Sequence, residues 1–291
     1  MTLHERAITV VEVGPRDGLQ NERAVVPTAT KAAFIEALAD AGLPVIEATS
    51  FVNPATVPQL ADADDLMRAV RRRPGVRYPV LVPNLRGFER AVGAGADGIA
   101  LFSAATDAFA LKNVRATIDQ TFTRFSEVVV AARARPDPIW IRGYVSVAFD
   151  CPYSGRVSPA AAVEVAQRFL DLGCDEICLA DTIGTAFPQD VVALLAAAVA
   201  TLPLDRLALH FHDTGGRAIE NVAAALDRGV TIFDAAAGGL GGCPFAPGAP
   251  GNLDTELLTR FLDRQGLPTG VDPDAVRHAV DALRPSLQVP S

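Results

Sequence analysis

Leu209-His210-Phe211-His212-Asp213 places two imidazoles two residues apart in an otherwise apolar run. Side chains alternate along a β-strand, so strand geometry aims both histidines at one face. Two histidines on one face supply half of a metal site. The same pair also suits a bland role, bonded to backbone or carboxylate partners on a barrel rim. The chain has only 4 histidines, and the other two, His4 and His278, lie near the termini.

Outward from this strand, short apolar or β-branched runs recur at Ile8–Val13, Val45–Phe51, Tyr78–Val82, Gly98–Phe102, Ile139–Val147, Glu176–Ala180, Leu207–Phe211 and Val230–Ala235. Ala-rich stretches with helical spacing lie between them, at Thr30–Ala41, Ala55–Arg72, Thr117–Arg135, Pro159–Leu172, Pro188–Thr201 and Arg217–Arg228. Gly42, Gly95, Gly173 and Gly229 follow helices where left-handed caps are expected. This alternation predicts an α/β chain folded as a single (β/α)₈ TIM barrel over residues 1–291, with a helical tail over about 272–291. An open doubly wound sheet is the alternative. It usually announces one dominant nucleotide-binding turn, whereas polar residues here follow many strands: Arg16, Asp17, Ser50, Asn84, Asp181, His210 and His212. A barrel gathers such ends in one mouth. Gly93-Ala94-Gly95-Ala96-Asp97-Gly98 matches G-x-G-x-x-G but follows a helix pattern and precedes a strand, the reverse of a dinucleotide fingerprint.

With 291 residues, 49% hydrophobic, the chain can bury a large core. A formal net charge of -8 offers no electrostatic basis for binding nucleic acid, and no basic amphipathic helix suggests a membrane surface. Met1–Ala7 lacks an apolar signal core or an Arg-rich transit pattern, and no run of about eighteen uncharged apolar residues occurs, so a soluble cytoplasmic protein is expected. Cys151, Cys174, Cys178 and Cys243 are too scattered for a disulfide framework; Cys174 and Cys178 are read as a helix end and a buried strand.

Val11-Glu12-Val13-Gly14-Pro15-Arg16-Asp17-Gly18 begins as a buried strand and breaks into a turn with adjacent opposite charges. Alone it could be a salt-bridged surface turn; beside the H-x-H strand, Asp17 becomes a candidate third ligand. The Gly- and Pro-rich segment Gly238–Asn252 is expected to be a loop. Its side chains able to do acid–base work or bind metal are Cys243 and Asn252. A site of Asp17, His210, His212 and Asn252 mixes oxygen and nitrogen without sulfur, which favours six-coordinate Mg²⁺ or Mn²⁺ over tetrahedral Zn²⁺.

From Ile8 to about Leu262 the chain resembles the 3-hydroxy-3-methylglutaryl-CoA lyase family, within the metal-dependent (β/α)₈ barrels that make or break C–C bonds beside an enolate. The motifs that carry the resemblance are EVGPRDGLQNE at Glu12–Glu22, IEATSFV at Ile46–Val52, PNLRGFE at Pro83–Glu89, GYVSVAFDCPYSG at Gly143–Gly155, LADTIG at Leu179–Gly184, HFHDT at His210–Thr214 and GLGGCPFAPGAPGN at Gly239–Asn252. The resemblance implies metal ligation by Asp17, His210, His212 and Asn252, with Glu47 behind them positioning the site. It implies that Arg16 neutralises charge on the thioester oxygen, that Cys243 carries a proton on a mobile loop, and that Asp181 is needed for catalysis. An acyl-CoA substrate and a homodimer follow by the same resemblance, with Asn84 and Lys112 as candidate contacts to CoA.

The chain departs from the family pattern at Thr106-Asp107-Ala108-Phe109, at Gly215, and at Val147 and Asp150. These positions flank the expected mouth, so a longer or differently branched acyl group is a second expectation. A zinc amidohydrolase needs more strand-end histidines than this chain has. A Claisen-condensing relative and a barrel kept only for binding are the other readings, separable by assaying acetyl-CoA consumption and metal-dependent turnover.

Overall fold

The computed structural model describes residues 7–241 and 251–288. Its strands are β1 (Thr9–Glu12), β2 (Val45–Ile46), β3 (Thr49–Ser50), β4 (Pro79–Leu81), β5 (Gly98–Ala104), β6 (Trp140–Ser146), β7 (Asp150–Cys151), β8 (Gly155–Arg156), β9 (Glu176–Asp181), β10 (Leu207–Phe211) and β11 (Ile232–Ala235). The helices are α1 (Thr28–Asp40), α2 (Ala63–Ala69), α3 (Leu85–Gly93), α4 (Asp107–Val114), α5 (Ile118–Arg133), α6 (Pro159–Leu172), α7 (Pro188–Ala198), α8 (Ala218–Leu226), α9 (Thr255–Arg264) and α10 (Pro273–Leu283).

Nine strands pair in the order β2-β1-β11-β10-β9-β6-β5-β4-β3, every pair parallel. The two ends of that order, β2 and β3, are halves of one segment, so the sheet closes on itself as a (β/α)₈ barrel. Glu47 N–H donates to Glu12 O at 2.8 Å on one side of the break, and Ala48 N–H to Pro79 O at 2.9 Å on the other. The second predicted strand, Val45–Phe51, is therefore one barrel position interrupted at Glu47-Ala48. Predicted helix Ala55–Arg72 is shorter, a 3₁₀ turn at Pro58–Leu60 and then α2. Pro58 lacks an N–H to donate, which confines it to the first turn.

Helix starts follow side-chain chemistry. Thr117 and Gln120 form a reciprocal capping box at α5, and Ser158 accepts from Ala161 N before Pro159 opens α6. The glycines expected as caps all have positive φ: Gly42 (95°), Gly95 (82°), Gly173 (102°) and Gly229 (87°). The G-x-G-x-x-G match closes α3 and opens β5, as expected from its context.

The larger apolar cluster lies between sheet and helices, where the Phe169 ring of α6 stacks on Phe125 and packs tilted against Phe122 of α5, at centroid distances of 5.9 and 4.7 Å. Each such side chain contributes roughly 1.5–3 kcal/mol through burial. Gly143 makes this packing possible, because a Cβ there would meet the Phe169 ring at 2.6 Å. The barrel interior is smaller, with Val11, Val13, Ala100, Tyr144, Cys178, Ala208 and Ile232. It also holds a charged group, Arg142, which is 1% exposed and paired with Asp234 and Glu176. Period-two alternation carries this inner face up β10 and β11 to His210, His212 and Asp234. Among the described residues no helix is long and apolar enough to cross a membrane.

Candidate metal centre and active site

The first strand ends by winding tightly. The N–H groups of Arg16, Asp17 and Gly18 all donate to Val13 O, at 3.2, 2.7 and 3.2 Å, over the short π-helix Gly14–Gly18. The turn is anchored from behind by Glu12, which is fully buried. Its Oε1 accepts from Gly14 N (2.7 Å) and Ala237 N (2.9 Å), and its Oε2 from the Thr255 hydroxyl (2.6 Å). Burial pushes the Glu12 carboxyl up to about 7, against the opposing pull of those bonds.

Because the folded state then holds this proton more tightly than the unfolded chain, Glu12 contributes stability at low pH that is lost as pH rises towards about 7. Glu12→Gln can keep the N–H acceptor while its amide donates to Thr255. We expect the variant to remove a slope of up to about 1.4 kcal/mol per pH unit between pH 4.5 and 7. Urea denaturation of both proteins across that range measures the difference; parallel curves would contradict it.

Arg16 is buried between two carboxylates. Nη1 donates to Asp17 Oδ1 at 2.5 Å and Nη2 to Glu47 Oε2 at 2.8 Å. Burial works against the charge, but Glu47 and Asp17 outweigh it and raise the guanidinium further above its ordinary value. Glu47 reaches Arg16 because the barrel strand breaks there, and it also accepts from the Tyr144 hydroxyl at 3.2 Å.

His210 and His212 stand on the inner face with ring centroids 5.2 Å apart. Ligand atoms of Asp17, His210 and His212 all lie within 4.8 Å of one another. Burial, with His210 beside it, lowers His212 to about 4, so its ring is neutral at physiological pH and has a lone pair to offer. Burial alone would raise Asp17, but Arg16, the two histidines and Asn252 hold its carboxyl well below the usual range.

Asn252 joins the cluster from the segment that begins at Gly251. Its backbone bridges His212, and its Nδ2 donates to Asp17 Oδ2 and Leu240 O, both at 2.9 Å. Gly241 permits this approach: it has φ 94°, and a Cβ would meet Asn252 Nδ2 at 2.7 Å. Asn252 Oδ1 and His212 Nδ1 are buried without hydrogen-bond partners. Orphaned acceptors beside a carboxylate are what a cation would satisfy, so the donor set fits a divalent metal.

The other sequence-predicted residues are placed differently. Asp181 ends β9 with its carboxylate turned to its own loop, accepting from Thr185 N (3.1 Å) and Ala186 N (3.0 Å); burial pushes it up to about 6. Asn84 is exposed and caps α3 through Gly87 N at 3.0 Å. Lys112 is exposed in the last turn of α4. Cys243 lies outside the described residues. Cys174 and Cys178 are free, at a helix end and in β9.

Sequence reasoning missed Arg142, Tyr144 and Asp234. Arg142 Nη1 donates to Tyr144 OH at 2.9 Å, and Nη2 to Asp234 Oδ1 at 2.6 Å. Arg142 and burial compete at Asp234, and the cation with His210 wins, holding its carboxyl low. Charged residues inside otherwise apolar strands were the available signal.

A parallel barrel whose mouth brings an Asp-His-His cluster able to hold a divalent cation beside a buried arginine defines a (β/α)₈ barrel with a candidate metal centre at its strand ends. A family model described as HMGL-like matches residues 7–282, and the chain belongs to that family. It is 49% identical over 282 residues to rat mitochondrial hydroxymethylglutaryl-CoA lyase, covering 97% of this chain and 86% of that protein. It is also 49% identical over 265 residues to mouse cytoplasmic 3-hydroxy-3-methylglutaryl-CoA lyase, covering 91% of this chain and 77% of the relative. The Brucella melitensis HMG-CoA lyase structure superposes with a TM-score of 0.94 at 48% identity, over 98% of this chain and 100% of that one. An Acinetobacter baumannii HMG-CoA lyase in complex with coenzyme A and 3-methylmalate gives 0.91 at 39% identity, over 97% and 91%.

Proposed function

We propose that the chain is a carbon–carbon lyase that splits 3-hydroxy-3-methylglutaryl-CoA, or a close homologue, between C2 and C3 into acetyl-CoA and a 3-oxo acid, acetoacetate for the methyl substrate. The observation that carries this reading is the convergence of Asp17, His210, His212 and Asn252 beside the charged Arg16. Those four residues would hold Mg²⁺ or Mn²⁺, which a donor set of oxygen and nitrogen without sulfur favours. A bound divalent cation supplies Lewis acidity that makes a substrate hydroxyl easier to deprotonate.

The remaining demands fall on the chain. Scission moves the C2–C3 electron pair onto the thioester as an enolate while the hydroxyl proton passes to solvent, from which the thiolate left after C2 protonation is later reprotonated. Arg16 provides a permanent positive charge where that oxygen becomes negative, and Glu47 keeps the guanidinium aimed. C2 must then be protonated. We assign that proton to Cys243, since a thiol, whose ordinary pKa is about 8.5, can donate it. Asp181 would hold the loop after β9 at the mouth, and Asn84 and Lys112 would meet CoA. We further propose a single catalytic unit in a cytoplasmic homodimer; among the relatives are proteins named mitochondrial and cytoplasmic.

The test incubates the protein with Mg²⁺ and a panel of 3-hydroxy-3-alkylglutaryl-CoA thioesters and reads products by mass spectrometry. We expect acetyl-CoA and the matching 3-oxo acid, lost in excess chelator and strongly reduced by Cys243→Ala. The panel also decides whether Val147, held at φ 51°, and Asp150, bonded to Thr185 and Arg156, favour a longer acyl branch. Cleavage that ignores chelator would refute the mechanism.

A further inference from the structure

The two imidazoles of the centre are held unequally. His212 Nδ1 has no partner. His210, in contrast, stands directly opposite Asp234 in the β10–β11 ladder, with Nδ1 3.1 Å from Asp234 Oδ2. Asp234 has a fully buried side chain. Its other oxygen, Oδ1, takes Arg142 Nη2 at 2.6 Å, and Cys178 Sγ donates to Oδ2 at 3.6 Å. A guanidinium has donors only, so Arg142 requires an acceptor at Oδ1. The thiol likewise finds an acceptor at Oδ2.

We infer that Asp234 is a positioning residue that fixes His210 as the Nδ1–H tautomer and leaves Nε2 as the nitrogen free to hold the metal. The inference rests on the metal reading above for its consequence, but the tautomer itself belongs to the metal-free protein. An imidazole whose far nitrogen donates to a carboxylate is held in one orientation and is a more basic ligand. Arg142 acts one step behind, holding the carboxylate that holds the ring. Through Tyr144 and Glu47 the same guanidinium connects to Arg16, so one buried cation braces the metal side and the enolate side together.

The substitution Asp234→Asn separates positioning from simple charge pairing. Arg142 still demands oxygen at the Oδ1 position, which turns the amide nitrogen towards His210. Nδ1 must then accept, and the proton moves to Nε2, the atom needed for the metal. Two-bond ¹⁵N–¹H correlation spectra of histidine-labelled, metal-free protein read the tautomer directly, with His210 assigned by loss of its signals in His210→Gln. We expect Nδ1–H in the unsubstituted protein and Nε2–H in Asp234→Asn. Calorimetric Mn²⁺ titration should show a dissociation constant raised about 10–100-fold in the variant.

An Nε2–H signal for His210 in the unsubstituted protein would overturn the inference. So would a folded Asp234→Asn protein with unchanged Mn²⁺ affinity, the result of a role limited to neutralising Arg142. Should the variant fail to fold, the unsubstituted spectrum decides. If the unsubstituted protein binds no Mn²⁺, the metal reading falls, and the tautomer spectrum still decides the Asp234 assignment.

Discussion

Asp17→Ala is expected to lower turnover by at least about 10³-fold and to weaken Mn²⁺ binding in parallel, since a metal's charge stabilisation amounts to several kcal/mol and each 1.36 kcal/mol is a factor of ten. Among the described residues Asp17 is the one carboxylate clustered with the two imidazoles. Without it, the donors left are two imidazole nitrogens and an amide oxygen, none of which brings negative charge to a hard dication. The variant should nevertheless fold. Arg16 keeps its bond to Glu47, so its buried charge is not stranded, and Asn252 keeps Leu240 O. Asp17→Asn, which preserves shape and removes charge, should behave like the alanine variant. Initial rates at saturating substrate, calorimetric metal titration and a thermal transition for each protein make the comparison. Unchanged metal affinity in either folded variant would remove Asp17 from the ligand set.

Asp17 was legible only in company: a Gly-Pro break with adjacent opposite charges also suits a salt-bridged surface turn, and the H-x-H strand made it a candidate partner. The shared face of His210 and His212 was legible locally, since strand parity alone assigns it. The barrel followed from repetition of short runs. What escaped was set by register between distant strands. That His210 faces Asp234 depends on how β10 and β11 align, and that Glu47 reaches Arg16 depends on the break between β2 and β3. The hairpin β7–β8 and helix α4 were also missed, because each is a short insertion whose pattern is weaker than its neighbours'. The meeting of Asn252 with Asp17 rests on Gly241 admitting the approach, a steric condition that periodicity does not report.

Arg16→Gln is expected to cost about 10²–10³ in kcat, the range for losing one preorganised group aimed at developing charge. Because the thioester oxygen is neutral in the bound substrate and negative only as the C2–C3 bond breaks, kcat and kcat/KM should fall together while KM changes little. Arg16→Lys should recover only part of the loss. Two nitrogens of the planar guanidinium bond different carboxylates at once, Asp17 at 2.5 Å and Glu47 at 2.8 Å, and a single ammonium cannot reproduce that fork. Glutamine leaves Glu47 buried with the Tyr144 hydroxyl as its remaining side-chain donor, which favours protonation of that carboxyl. The thermal transition should therefore drop in Arg16→Gln and recover in part in Arg16→Gln/Glu47→Gln, while kcat stays low in both. If the double substitution restored kcat, Arg16 would be acting through the fold of the mouth and the charge on the thioester oxygen would need another partner. If KM rose with kcat unchanged, the guanidinium would be gripping the ground-state substrate. Either result would reassign Arg16, so rates and stability must be measured on the same preparations.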